Sequence, residues 1–293
     1  TWMAESNRAQ TMSSAPRRVE SLLTDKGNVP VYTTTIVEQP WDSYSEQDHA
    51  TWAFLFRRQR EVLQGRACRE FIENQQRFGM NPERIPKFED LNAVLGPATG
   101  WKLIGVEGLL PELDFFEHLA NRRFPVTWWI RRPDQIDYIS EPDMFHDLFG
   151  HVPLLLNPVF ADYMAAYGRG GVKAHGVSAQ ALVNLTRLYW YTVEFGLIDT
   201  PAGLRAYGAG ILSSAGELRH SVTSSVPQRI GFDLERIMRT RYRIDSYQST
   251  YFVVDSFDQL FEATAPDFTP IYRRVAAAGE LDADARLPTD RLF

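Results

Sequence analysis

The chain has 293 residues, 44% of them hydrophobic, which is enough to bury a large core. Its 31 lysine and arginine residues and 37 aspartate and glutamate residues give a net charge of −6. No basic cluster is present, which argues against nucleic acid as a partner. The single cysteine, Cys68, and the lack of any apolar run of about 20 residues predict a protein of the reducing cytoplasm without a membrane partner.

The two ends of the sequence differ in character from its middle. The first 18 residues are polar and lack the apolar segment of a secretory signal. We expect a disordered N-terminal tail over residues 1–20, a single domain over residues 21–279 and a C-terminal tail over residues 280–293. The C-terminal tail has no heptad repeat, so no coiled coil is expected and a monomer is favoured.

Helix start and stop signals recur along the chain. Ser43 and Glu46 have the spacing of a capping box, and an apolar stripe follows as far as Gly65. This pattern is typical of a helix packed on the domain surface. Further helix starts are predicted at Pro82, at Pro111 and at Ser256, which has Gln259 three residues later.

Short runs of β-branched and aromatic residues predict a few strands. These runs are Trp101–Val106, Phe124–Ile130 and Tyr251–Val254. Because strands and helices do not alternate regularly and no repeat is visible, Rossmann and solenoid folds are disfavoured. We therefore predict an α+β fold that is predominantly helical.

Two histidines stand in a short predicted helix. Ser140 and Asp143 fit a helix start, and Gly150 fits the position just beyond a helix end. In an unbroken α-helix His146 and His151 would point about 140° apart. We therefore expect the helix to stop at Gly150, so that the chain reverses and both imidazoles face one centre.

Glu194 is the best candidate for a third ligand. It lies one residue before the end of the segment Ala179–Phe195. The apolar residues of this segment have helical spacing, so the carboxylate lies on a helix that must be largely buried. A buried carboxylate is costly unless it is paired or bound to a metal. Two imidazoles and one carboxylate suit iron(II) with open positions, whereas structural zinc prefers thiolates.

The residues alone leave other interpretations open. Histidines five residues apart also occur without any metal. Asp147, next to His146, permits a His-Asp metal phosphohydrolase, although that class needs further ligands that we do not find at persuasive positions.

Three longer motifs resemble those of the pterin-dependent aromatic amino acid hydroxylases. They cover residues 141–153, 189–197 and 206–214, and the resemblance extends from about Trp41 to Asp267. The resemblance implies the catalytic fold of that family, with residues 21–279 as the catalytic domain. It also implies an iron(II)-dependent and tetrahydropterin-dependent monooxygenase that hydroxylates L-phenylalanine to L-tyrosine with dioxygen. A non-catalytic sensor of aromatic amino acids, with the metal site empty, is the remaining alternative.

The same resemblance implies roles for individual residues. The iron ligands are His146, His151 and Glu194, and Glu141 is a further catalytic residue near the pterin. Arg131 grips the substrate carboxylate, with Asp143 as its orienting partner. The remaining substrate-pocket positions are Pro142, Trp190, Phe195, Gly210 and Ser213. The reduced pterin is expected to contact Leu110, Phe115, Tyr189 and Glu141.

Two positions favour phenylalanine among the aromatic amino acids. Family members that act on tryptophan have a smaller ring in place of Trp190, and those that act on tyrosine have an acid in place of Ile244. Pro125 stands where some relatives stack a ring on the pterin, which leaves the identity of the natural pterin open. We also expect neither the N-terminal sensing domain nor the C-terminal oligomerisation helix of the animal members, which again favours a monomer.

Overall fold

The computed structural model describes residues 35–108 and 110–293. The tail expected over residues 1–20 lies outside this part. Helix predominates among the described residues, with two small sheets, so the predicted α+β fold is confirmed. The α-helices are Glu46–Leu63 (α1), Arg69–Phe78 (α2), Phe88–Thr99 (α3), Glu112–Ala120 (α4), Pro158–His175 (α5), Ala179–Tyr189 (α6), Ala209–Leu212 (α7), Ala215–Thr223 (α8), Leu234–Arg239 (α9), Phe257–Ala263 (α10) and Thr269–Ala278 (α11).

The helix starts agree with the sequence signals in some places and not in others. Helix α10 follows Ser256, whose hydroxyl accepts the backbone N–H of Gln259 at 3.1 Å, as predicted. Helix α1 is capped by Ser45 and not by Ser43, because Ser43 ends a short 3-10 turn. No helix starts at Pro82; the side chain of the preceding asparagine holds a tight turn there instead.

Two small sheets flank the helices. The first has the order β1-β2-β3, with β2 and β3 parallel, and the second has the order β5-β4-β7-β6. The predicted strands near residues 102, 123 and 250 are present, although β3 ends at Thr127 and not at Ile130. Beyond Thr127 the backbone instead pairs with the segment that leads to the histidines, for example from Met144 N–H to Trp129 C=O at 2.9 Å. The strands are Ile36–Val37 (β1), Lys102–Val106 (β2), Arg123–Thr127 (β3), Leu197–Thr200 (β4), Gly203–Ala206 (β5), Gln228–Gly231 (β6) and Thr250–Val254 (β7).

Two π-helical turns interrupt the α-helical pattern. They cover His146–His151 and Trp190–Glu194. In a π-helix the hydrogen bond joins residues five apart, so that residues with this spacing lie one above the other. The first turn continues into a 3-10 segment, Val152–Leu156, and the second extends α6.

Helices α4 and α5 pack unusually closely. A Cβ atom at Gly171 of α5 would lie 2.0 Å from Cδ1 of Phe116 on α4, so only glycine permits this contact. The close packing places Phe115, the neighbour of Phe116, against Tyr189 of α6 with 5.7 Å between the ring centroids. The core around these helices is rich in fully buried rings, including Trp52, Tyr163 and Phe149.

The last residues run along the domain surface. Leu281 forms a parallel bridge with Thr240, and Leu292 forms an antiparallel bridge with Ile230. Asp290 forms a buried ion pair with Arg236 at 2.9 Å. The boundary expected at residue 279 stays a prediction. Among the described residues, no helix combines the length and the apolar character needed to cross a bilayer.

Candidate metal centre and adjoining cavity

His146 and His151 converge, but not by the predicted route. The chain does not reverse at Gly150, which lies inside the first π turn. The π geometry itself brings the two side chains onto one face, and their Nε2 atoms lie 3.0 Å apart. Gly150 serves close packing instead, because a Cβ atom there would lie 2.9 Å from the carbonyl oxygen of Ala209.

The start of the histidine segment also differs from the prediction. Asp143, and not Ser140, caps it, because Oδ1 of Asp143 accepts the backbone N–H of His146 at 3.1 Å. The carbonyl of Asp143 accepts the next helical hydrogen bond, from Asp147. The carboxylate of Asp143 therefore fixes the backbone that carries the first histidine.

Glu194 completes the cluster from the second π turn. Its Oε1 lies 3.0 Å from Nε2 of His151, and its Oε2 lies 3.4 Å from Nε2 of His146. The π hydrogen bond that closes this turn runs from Phe195 N–H to Trp190 C=O at 2.8 Å. The three side chains that the sequence predicted as ligands thus meet at one point.

Glu194 and His146 influence each other's protonation. Burial raises the pKa of Glu194, but the imidazoles of His151 and His146 outweigh burial and hold the pKa well below its ordinary value. Burial lowers the pKa of His146, but the carboxylate of Glu194 outweighs burial and raises it. A divalent cation would replace the proton that holds such a cluster together, since metals and protons compete for the same atoms.

Ser213 determines which nitrogen of His146 is free. Its hydroxyl donates to the carbonyl of Ala209 at 2.7 Å, so its oxygen accepts from Nδ1–H of His146 at 2.9 Å. In the neutral imidazole the lone pair is then on Nε2, which points at Glu194 and His151. A ring oriented through its second nitrogen is the usual arrangement of a metal-binding histidine.

A second carboxylate, Asp147, also lies at this centre. His146, Asp147 and His151 form a group whose possible ligand atoms all lie within 4.8 Å of one another. One oxygen of Asp147, however, already accepts the backbone N–H of Thr127 at 2.8 Å. We favour Glu194 as the third ligand because both its oxygens face the two Nε2 atoms. Sequence reasoning considered Asp147 only as a sign of a phosphohydrolase, so its place at this centre was missed.

Arg131 and Asp143 form a buried ion pair beside the cluster. Nε and Nη2 of Arg131 donate to the two oxygens of Asp143 at 2.9 and 3.0 Å, and Nη1 donates to the carbonyl of Ile136 at 3.3 Å. Burial raises the pKa of Asp143, but the guanidinium of Arg131 outweighs burial and lowers it. Of the roughly five N–H groups of a guanidinium, these three contacts leave about two for another acceptor.

A cavity of about 1000 Å³ opens next to these groups. His146, Glu194 and Glu141 are among its lining residues, whereas Asp143 and His151 are not. Two exposed tyrosines, Tyr138 and Tyr247, stand at its edge. The other lining residues predicted from the sequence are Arg131, Pro142, Trp190, Phe195, Gly210, Ser213 and Ile244.

Sequence reasoning missed part of this cavity lining. Arg58 lines it from α1 and donates to the carbonyl of Ile136, the same oxygen that Arg131 contacts. Glu217 and Gln248 also line it. No local pattern marks these residues, because the cavity forms only when distant segments meet.

Of the residues predicted to contact a pterin, Glu141 lines this cavity and the other three do not. The ring of Tyr189 lies 6.4 Å from that of His151, and Phe115 packs edge-on against Tyr189. Leu110 packs instead on the small apolar cluster of Ile36, Ile104 and Val106. The structure therefore brings Phe115 and Tyr189 together next to the histidines but places Leu110 in a separate cluster.

The fold and the site indicate one class of protein, and comparison of the sequence with known families identifies the same class. A sequence profile described as biopterin-dependent aromatic amino acid hydroxylase matches residues 36–274, so the chain belongs to this family. It is 62% identical over 252 residues to the phenylalanine-4-hydroxylase of Chromobacterium violaceum, covering 86% of this chain and 84% of that protein. It is 60% identical over 257 residues to the phenylalanine-4-hydroxylase of Ralstonia nicotianae, with coverages of 86% and 82%.

Solved structures agree with these sequence matches. The chain superimposes on C. violaceum phenylalanine hydroxylase with bound oxidised Fe(III) with a TM-score of 0.86 and 60% identity, covering 88% of this chain and 93% of that one. The cobalt-bound form of the same enzyme gives a TM-score of 0.86 at 60% identity, with coverages of 88% and 92%. The catalytic fold expected from the sequence is therefore that of an aromatic amino acid hydroxylase.

Proposed function

We propose that this protein is a phenylalanine 4-monooxygenase, which converts L-phenylalanine to L-tyrosine with dioxygen, iron(II) and a reduced pterin. The observation that carries the proposal is the meeting of His146, His151 and Glu194 at one side of a cavity lined by aromatic rings and a buried guanidinium. The relatives named phenylalanine-4-hydroxylase support it.

The donor set fits iron(II). Two neutral imidazole nitrogens and one carboxylate, without a thiolate, are the ligands of non-haem iron sites that keep positions open for small molecules. His146, His151 and Glu194 would hold the ion, with Ser213 orienting the first imidazole. When bound, iron(II) and the tetrahydropterin together supply the reductive activation of dioxygen.

Arg131 binds the carboxylate of the substrate in this proposal. Asp143 holds the guanidinium in place from behind, and the remaining N–H groups of Arg131 can form a two-point contact with a carboxylate. Pro142, Trp190 and Phe195 then enclose the phenyl ring, and Gly210 leaves room beside it. Such walls exclude water from the reacting atoms and fix the ring relative to the metal.

Two of the proposed pterin contacts lie next to His151 and do not line the cavity. Phe115 offers a half-buried ring for stacking, and Tyr189 lies between it and His151. Leu110 is the third predicted contact, although it belongs to a separate cluster. Glu141 lines the same cavity as Glu194 and is proposed as a further catalytic residue near the pterin.

Substrate preference follows from two residues of the wall. Trp190 occupies space that an indole would need, and Ile244 offers no partner for a phenol hydroxyl. Phenylalanine is therefore the proposed substrate, in a reaction that serves phenylalanine catabolism.

Cellular location, oligomeric state and domain bounds are also proposed. The only cysteine, Cys68, is fully buried and unpaired, which suits the reducing cytoplasm. A monomer with a catalytic domain over residues 21–279 is proposed.

One assay separates this proposal from its alternatives. Purified protein is supplied anaerobically with iron(II), tetrahydrobiopterin and phenylalanine, and ¹⁸O₂ is then admitted. The proposal expects one labelled oxygen atom in tyrosine, and no tyrosine from protein treated with a chelator. Release of phosphate from a nucleotide would favour a phosphohydrolase, and binding of phenylalanine without turnover would favour a sensor. Neither alternative is favoured by the comparisons.

A further inference from the structure

The indole of Trp190 is held on three sides. Its ring stacks on Tyr242, with 4.1 Å between centroids and 11° between planes, and it contacts Phe195 at 4.7 Å. Its Nε1–H donates to Oε1 of Gln248 at 3.1 Å, across 58 positions of the sequence. Trp190 is 7% exposed and lines the cavity. The hydrogen bond is the directional contact among the three.

Gln248 is itself fixed by its surroundings. Its Nε2 donates to the carbonyl of Arg243 at 2.9 Å, which leaves Oε1 to face the indole and settles the orientation of the amide. Its backbone N–H donates to Oε1 of Glu217 at 3.0 Å, and its carbonyl contacts Nε2 of His220 at 3.0 Å. Glu217 in turn accepts the hydroxyl of Tyr251. A residue with this many partners can hold the indole in one place.

The position of Trp190 also bears on the metal side of the cavity. Trp190 opens the π turn that ends at Glu194, and its carbonyl accepts the hydrogen bond that closes this turn. The wall of the cavity and the third proposed ligand thus belong to one short element. Because Gln248 and Tyr242 hold the indole of Trp190, the distance between this indole and the carboxylate of Glu194 stays constant.

We infer that Gln248 is a positioning residue for the aromatic substrate, acting through the indole of Trp190. This inference rests on the proposed function. With the acceptor removed, the indole can tilt, the phenyl ring of the substrate is held less firmly, and its C4 atom is no longer the favoured target. Weaker binding, less tyrosine per pterin oxidised and a share of ring hydroxylation at other carbons should follow.

Three single variants distinguish a positioning role of Gln248 from a general effect on protein stability. Gln248→Leu removes both side-chain hydrogen bonds. Gln248→Glu restores them, because a buried, protonated carboxyl can accept from the indole and donate to Arg243. Gln228→Leu is the control, since Gln228 donates to Thr250 and to the carbonyl of Ala285 but does not line the cavity.

The three variants should differ in their kinetics and products but not in their iron content. Gln248→Leu should lower kcat/KM for phenylalanine about tenfold, mostly through KM, and should add 3-hydroxyphenylalanine to the products. Gln248→Glu should recover most of kcat/KM, and Gln228→Leu should keep the wild-type product ratio. Iron content should be the same in all variants. A Gln248→Leu enzyme with wild-type KM, coupling and products, or one that has lost its iron, would overturn the inference.

A double-mutant comparison tests the route through Trp190. In a Trp190→Phe background no indole N–H remains, so Gln248→Leu should have little further effect on KM or product ratio. Additive losses would mean that Gln248 acts on the substrate directly and would overturn the inference. If the wild-type protein forms no tyrosine, the proposed function fails. The inference is then decided by calorimetric affinity for phenylalanine, which Gln248→Leu should lower about tenfold and Gln228→Leu should leave unchanged.

Discussion

The Nε2 atoms of His146 and His151 lie 3.0 Å apart although the residues are five positions apart in a helical segment. An α-helix would direct such side chains about 140° apart. The π turn removes this conflict by placing residues five apart on one face. Glu194 reaches the same point from a second π turn, so both halves of the metal centre depend on this rare geometry.

Two carboxylates could complete the metal centre, and substitution distinguishes them. Glu194→Ala should lower the affinity for iron(II) at least about 100-fold, whereas Asp147→Ala should lower it about tenfold or less. The reason is that Glu194 faces both imidazoles while Asp147 is engaged by a backbone N–H. Iron retained after dialysis against a competing chelator measures the difference, with circular dichroism as a check of folding. The reverse order would assign Asp147 as the ligand.

Arg131→Lys tests the two-point contact with the substrate carboxylate. A lysine is a single point charge and cannot replace a planar fork held by Asp143. We expect KM for phenylalanine to rise about 10-fold to 100-fold, with a smaller change in kcat. Phenylalaninamide, which has no carboxylate, is the control substrate: the variant and the wild-type enzyme should differ little with it. An equal loss with the amide would show that the effect does not involve the carboxylate.

The C-terminal residues should contribute to stability through Asp290. The side chains of Arg236 and Asp290 are 5% and 3% exposed, so Asp290→Ala leaves a buried cation without its partner. We expect the free energy of unfolding in urea to fall by about 3 kcal/mol. Asp282→Ala breaks an exposed pair with Arg241 and should cost less than about 1 kcal/mol. Equal costs for the two variants would contradict a buried role for residues near the C-terminus.

His118 should make stability depend on pH. It is fully buried, and its Nδ1 accepts Nε–H of Arg123 at 3.1 Å. Burial, assisted by the charge of Arg123, lowers the pKa of His118 to about 4. As pH falls below about 6.5, the ordinary pKa of histidine, His118 takes up a proton in the unfolded chain but not in the folded protein. Stability is therefore lost between about pH 6.5 and 4.

The size of this effect can be measured by difference. From pH 7 to pH 5, His118 should remove about 2 kcal/mol from the free energy of unfolding. His118→Gln lacks this contribution, so its stability should fall by about that much less over the same range. Both proteins are unfolded in urea with a chelator present, which removes the effect of metal binding. Parallel pH dependences for the two proteins would contradict the neutral, buried state of His118.

Much of the site could be predicted from the sequence, and the failures have physical causes. The structure brings together the three predicted ligands, and it pairs Arg131 with Asp143 as the family resemblance implied. The route by which the histidines converge did not follow, because apolar periodicity and glycine positions report on α-helix ends and not on π turns. Gly150 was interpreted as a helix stop, but it is needed for close contact with Ala209.

Local sequence signals also fail where two residues fit the same helix-capping pattern. Ser43 and Ser45 both have an acid three residues later, Glu46 and Asp48, so the pattern does not decide which serine caps the helix. The structure uses Ser45, with the capping box completed by Asp48. The part of the cavity lining that Gln248 forms is beyond any local signal, because the contact of Trp190 with Gln248 joins segments 58 positions apart.

The central claim is that His146, His151 and Glu194 hold one iron(II) ion that keeps positions open for other molecules. A crystal structure of the enzyme loaded with iron(II) without oxygen tests it most directly, with anomalous scattering to locate the metal. We predict one ion bound by both Nε2 atoms and by the carboxylate of Glu194, with the remaining positions occupied by water. An ion bound at another place, or a closed four-ligand shell that includes Asp147, would contradict the account.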